Sequence, residues 1–142
     1  MKCAMRLISL VIGATLAASS LACGVCIEDK VAATYDYGIV MTAIGKHHLV
    51  VFGQVEGAVD MRAAATKIAA AAARVTGVDR STIRTSVSPA AFSFALDPAA
   101  QAPAAAVADL QKRVRMQGVK LSVLRVVSRE SVPSPPKRKA AS

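Results

Sequence analysis

Residues 48–77 read HLVVFGQVEGAVDMRAAATKIAAAAARVTG, and residues 82–96 read TIRTSVSPAAFSFAL. The change of period inside the first stretch decides the fold. His48–Val55 is rich in Leu, Val and Phe, residues that suit a pleated and buried strand, and Gly57 breaks it. From Val59 to Thr76 the apolar repeat becomes helical. Met61, Ala65, Ile68, Ala72 and Val75 follow steps of three and four, while Arg62, Lys67 and Arg74 fall off that stripe. Alanine is the best helix former, Asp60 adds negative charge at the first turn, and Gly77 marks the end. In the second stretch, Thr82–Ser88 and Ala91–Leu96 alternate as two strands about a Ser88-Pro89-Ala90 bend.

Working outward, Asp97-Pro98 is a breaker and Pro103 opens a second helix, where its missing N–H costs little. That helix runs to Met116 with Ala106, Val107, Leu110, Val114 and Gln117 inward. Gly118 caps it, and Val119–Val127 is a final strand. Strand, helix, strand, strand, helix, strand describes two split βαβ units. The expected class is α+β: a ferredoxin-like βαββαβ sandwich, with a four-stranded antiparallel sheet and two helices on one face.

Upstream, Ile27–Ile44 is expected to form one extra N-terminal helix, with Glu28 and Asp29 in its first turn and Gly45 closing it. At ~1.5 Å per residue such a rod is about 27 Å long. Met1–Arg6 is short and positive, Leu7–Ala18 is uncharged and apolar, and Ser19–Ala22 ends in small residues. This is the layout of a secretory signal, and its apolar run is short for a membrane span. Val132–Ser142 holds three prolines and three Lys/Arg with almost nothing to bury. The expected organisation is a signal peptide over 1–22, a Cys-bearing segment and helix over 23–46, the ferredoxin-like domain over 47–127, and a disordered basic tail over 128–142.

Val55–Gly118 resembles the heavy-metal-associated domain of copper chaperones and metal-pumping ATPases. The shared marks are Ile68 within the first helix, the Thr76-Gly77-Val78 ending, the strand pair closing on Asp97-Pro98, and the Ala-rich second helix ending at Gly118. The resemblance implies the fold and an association with metal or with protein docking. The family binds soft metal through a Met-x-Cys-x-x-Cys at the start of its first helix. Here the two Cys places fall on Met61 and Ala64, so both thiols are absent and those ligands do not carry over.

Metal chemistry therefore rests on another pair. Cleavage after Ala22 removes Cys3 and leaves Cys23 and Cys26, in Cys-Gly-Val-Cys just before the expected helix. Backbone N–H groups and the helix dipole favour a thiolate there. Two thiolates so spaced suit a soft cation such as Cu(I) or Zn(II). Three states compete for the sulfurs: a metal chelate, a Cys23–Cys26 disulfide, and a lipid thioether on Cys23, for which Ser20-Leu21-Ala22-Cys23 is a loose signal. His47, His48 and Met41 are further possible donors, although adjacent residues on a strand point to opposite faces and the straight helix would hold Cys26 far from the histidines. Met61 is another possible thioether donor, but its place on the helix stripe reads first as core.

The net charge is +9 over 142 residues, concentrated in the signal, the tail and a mildly basic body. An aromatic content of 4% and the lack of any nucleic-acid motif argue against nucleic acid as the target. No His pair of a metalloprotease, phosphate-cradling Gly loop or nucleophile elbow is present, so no enzyme is expected. The expected function is that of an exported, periplasmic soft-metal-binding or chaperone-like protein. The alternative is a non-catalytic periplasmic interaction module or lipoprotein with a degenerate metal-binding domain. Its partner would be a membrane or periplasmic protein. A homodimer through an edge strand, His48–Val55 or Thr82–Ser88, is a further expectation.

Overall fold

The computed structural model describes residues 23–57 and 59–132, with side chains from Ile27 onward. The expected signal peptide and the tail beyond Val132 lie outside the described residues. The element order is α1 (Cys23–Thr34), α2 (Tyr37–Gly45), β1 (Leu49–Glu56), α3 (Met61–Ala72), β2 (Val78–Ser86), β3 (Ala91–Leu96), α4 (Pro103–Val114) and β4 (Lys120–Val127). The class is α+β: one four-stranded antiparallel sheet with four helices among the described residues.

The strands lie in the order β2-β3-β1-β4. β1 is central, paired with β3 through Val51↔Phe94 and with β4 through Val51↔Val126. This corrects the expectation that His48–Val55 offers a free edge; the edges are β2 and β4. Central position explains why all six residues of β3 and most of β1 are buried. Strand side chains alternate between faces, and helices cover both. On one face Val51, Val55, Phe92, Phe94 and Leu96 pack with Ile68 of α3 and Leu110 of α4. On the other, Val50, Phe52 and Ala95 pack with Val31 of α1 and Val40, Ala43 and Ile44 of α2. Each large aliphatic or aromatic side chain so buried contributes about 1.5–3 kcal/mol.

The N-terminal region departs most from expectation. The single helix over Ile27–Ile44 is two helices, divided at Tyr35-Asp36. Asp36 has extended backbone (φ −134°, ψ 115°), and its Oδ1 accepts the Ile39 N–H at 3.0 Å. An aspartate satisfying an orphan donor this way starts a new helix rather than continuing the old one. The 27 Å rod therefore does not exist. Instead α1 contacts all four strands and α2 packs on β1 and β3. Cys23-Gly-Val-Cys26 forms the first turn of α1 and does not precede the helix.

Smaller shifts have local causes. α3 starts behind Asp60, whose carboxylate accepts the Arg62 N–H at 2.9 Å, and ends four residues before the expected Thr76. α4 stops at Val114 because Arg115 adopts the left-handed conformation (φ 46°), which leaves Gln117 beyond the helix and exposed, not on its inner face. β2 begins at Val78 and not at Thr82; its pairing with β3 slips between Asp79 and Arg84. Buried Thr82 fills that gap, accepting the Ala95 N–H at 2.8 Å and donating to the Asp79 carbonyl at 2.6 Å. Arg129–Ser131 forms a short 3-10 turn and Val132 packs against the α1–α2 core. Residues 128–132, expected as tail, belong to the fold.

Candidate functional site

The candidate site lies on the face of the sheet covered by α1 and α2, because that layer carries the cysteine pair. Polar ties hold α1 in place. Lys30 donates to Gln54 Oε1 at 2.7 Å, and the Gln54 amide donates to Ser122 Oγ at 3.0 Å and Glu56 Oε1 at 3.1 Å. At the far end of α1 the buried Ser93 hydroxyl donates to the Thr34 carbonyl at 3.1 Å. That bond gives Ser93 a structural role.

One turn beyond the cysteines, Glu28 faces Arg125 of β4 in a two-pronged ion pair. Arg125 Nη1 donates to Glu28 Oε2 at 3.1 Å, and Nη2 meets Oε1. The hydrogen bond from Arg125 is the main cause holding the Glu28 carboxyl below its ordinary range, against a smaller opposing effect of desolvation. The guanidinium is pushed up in return. The sequence places Glu28 in the first turn of a helix but gives no local pattern that pairs it with Arg125, 97 residues away. A signal was present: Arg125 is a lone charge inside Val123-Leu124-Arg125-Val126-Val127, and a charge in such a run calls for a partner.

Between this pair and the sheet is an open cleft of about 350 Å³ whose walls include Val31, Tyr35, Phe52 and Val127. The Tyr35 and Phe52 rings are nearly parallel, with centroids 6.2 Å apart. Tyr35 is 48% exposed, Tyr37 68% and Met41 41%, so three large apolar side chains cluster in seven residues at the α1–α2 junction. Arg84–Asp36 at 3.9 Å ties that junction to β2, and Lys46–Asp79 at 3.6 Å ties the far end of α2 to the same strand. Asp79 is held below the usual carboxylate range, first by the Ser81 hydroxyl, against a smaller opposing effect of desolvation, with further help from the Ser81 N–H and Lys46.

The expected donors do not converge. His47 is exposed and left-handed (φ 58°), and His48 is half-buried with Nδ1 lacking a hydrogen-bond partner among the described residues. Both line a shallow cleft of about 220 Å³ with Ser128, Arg129 and Glu130. The cleft lining also carries one cation, Arg129, and one carboxylate, Glu130. Met41 is exposed on α2, Met61 packs on the α3–α4 core, and Ala64 is fully buried in that same core on the opposite face. Among the described residues no group of three His, Cys, Asp or Glu side chains is arranged to hold a metal ion. Of the expected ligands, only Cys23 and Cys26 share one element, three residues apart in one helical turn.

Among the described residues no helix is long and apolar enough to cross a membrane. No family model matches the chain, and neither a curated protein nor a solved structure matches it.

Proposed function

We propose that this chain is an exported, non-catalytic binding protein in which Cys23 and Cys26 take up a soft metal ion, Cu(I) or Zn(II), as cargo. The scaffold is read as a ferredoxin-like domain related to the heavy-metal-associated module, with its own helix-borne thiols replaced by Met61 and Ala64. The βαββαβ chain order and the β2-β3-β1-β4 strand order support that reading. The observation that carries the metal assignment is the placement of both cysteines in the first turn of a helix tied to the sheet. The free N–H groups and positive dipole end of that turn lower a thiol pKa and favour the thiolate that binds soft metals. Two thiolates leave the ion open to exchange, which suits a carrier more than a permanent structural site.

The test uses the reduced chain beginning at Cys23. Cu(I) titration against a chromophoric competitor should show one ion per chain, with affinity falling more than about tenfold in Cys26→Ser. Equal binding by both proteins overturns the assignment. So does a diacylglycerol thioether on Cys23 in the mass of protein isolated from cells. A second reading is favoured by exposed Tyr35, Tyr37 and Met41: a periplasmic interaction module that docks a protein partner through the α1–α2 junction. Lipid on Cys23, with partner binding abolished by Tyr37→Ala, would establish it in place of the first.

A further inference from the structure

The opposite face of the molecule carries a second, unrelated feature. The α3–α4 layer has an open cleft of about 430 Å³ with Lys67 and Arg74 on one wall and Arg113 and Arg115 on the other. Its floor is small and apolar, with Ala70, Ala71 and Val114 among its lining residues. Arg113 is paired with Asp109 at 2.9 Å. All nine Asp and Glu residues lie within the described residues, and none comes within salt-bridge distance of Lys67, Arg74 or Arg115. Cations near helix C-termini have a local reason to be there, since they offset the dipole. That reason covers Arg74, Arg113 and Arg115. It does not cover Lys67, which sits in the middle of α3. Arg115 also holds a left-handed backbone that a non-glycine residue adopts at a cost. Three cations without counter-charges among the described residues, set around one concavity, repel each other, and an anion seated among them removes that repulsion.

We propose that this cleft is a binding site for a phosphate-bearing anion, with Lys67, Arg74 and Arg115 as its ligands and Arg113 held in reserve by Asp109. Guanidinium groups match phosphate oxygens two at a time, and the lysine adds a point charge. The small alanines let the ligand approach the helix surfaces. The site shares no residue with the cysteine pair, so it stands or falls independently of metal binding.

The test uses the mature chain with two probes that separate the sources of phosphate. Pyrophosphate is titrated calorimetrically, and phosphatidylglycerol vesicles are compared with phosphatidylcholine vesicles by co-sedimentation. The variants are Lys67→Gln/Arg74→Gln and Arg115→Asn, the latter because asparagine tolerates the left-handed conformation. The control, Arg80→Gln/Arg129→Gln, removes two exposed charges lying outside the cleft. Binding to at least one probe should fall about tenfold or more in each cleft variant and less than about twofold in the control. It should also weaken steeply between roughly 0.1 and 1 M NaCl, as the screening length shrinks from about 10 to 3 Å. Saturable pyrophosphate binding that displaces vesicles identifies a soluble phosphate ligand; binding to phosphatidylglycerol alone identifies a lipid headgroup. Failure of the folded wild-type chain to bind either probe, or equal losses in cleft and control variants, overturns the proposal.

Discussion

Replacing Gly53 by alanine tests how the sheet meets the α3–α4 layer. Gly53 is buried in the middle of β1, paired across the sheet with Phe92 of β3. A Cβ built there stands 2.1 Å from Phe92 Cζ and 2.6 and 2.7 Å from its two Cε atoms. The Phe92 ring is 1% exposed and stacked on Phe94, with centroids 6.0 Å apart, so it has no open space to enter. Overpacking of this kind costs about 1–3 kcal/mol. Alanine restricts the unfolded chain more than glycine and returns about 0.4–1 kcal/mol. A net loss of about 1–2 kcal/mol remains, and for a domain of about 100 residues that lowers Tm by roughly 5–15 °C. The control is Phe92→Leu, which removes the ring atoms that the new methyl would strike. Alone it costs about 1–3 kcal/mol in lost buried area. Combined with Gly53→Ala the two losses should not add, leaving a favourable coupling of about 1–2 kcal/mol. Urea denaturation of the wild type, both single variants and the double variant measures every leg of that cycle. A Gly53→Ala protein as stable as wild type, or strictly additive losses, would refute the packing argument.

Two further predictions follow from the polar contacts. Thr82→Val removes the oxygen that accepts the Ala95 N–H at the slipped register, stranding a buried donor. It should cost about 1–3 kcal/mol in urea denaturation, with most of the loss restored by Thr82→Ser. Glu28 has its pKa lowered in the folded state, mainly by the Arg125 hydrogen bond, so its contribution is fully present above its unfolded-state pKa and fades as pH falls through the folded value. The stability difference between wild type and Glu28→Gln, followed by denaturation midpoint, should therefore shrink on acidification and also with added salt; a difference that grows in acid would contradict the ion pair.

Much of the domain was legible because its local signals agree with one another. The negative charge of Asp60 near the helix start, the stripe through Ile68 and the breaker at Asp97-Pro98 all point to the elements observed, and β3 spans Ala91–Leu96 as expected. Where the reading missed, a side chain replaced a backbone role. Asp36 capped a new helix inside an apolar repeat that looked continuous. Thr82 supplied a hydrogen bond that let the polar run Asp79-Arg80-Ser81 remain within a strand. At the candidate site, the cysteine pair was visible from spacing alone. Its connection to the fold through Glu28 and Arg125 spans 97 residues, beyond the reach of any local pattern.

Sequence alone settled the order of strands and helices from His48 to Val127, though not every boundary, since periods of 2 and 3.6 are properties of a chain segment by itself. It could not decide that α1 and α2 lie on the second face of the sheet. Val50, Phe52 and Ala95 alternate out of the first core, but that alternation does not say what covers them. Only the assembled sheet makes the choice. Burying that second apolar face against Val31, Val40, Ala43 and Ile44 removes it from water, and the break at Asp36 is what lets one stretch of chain do so with two helices.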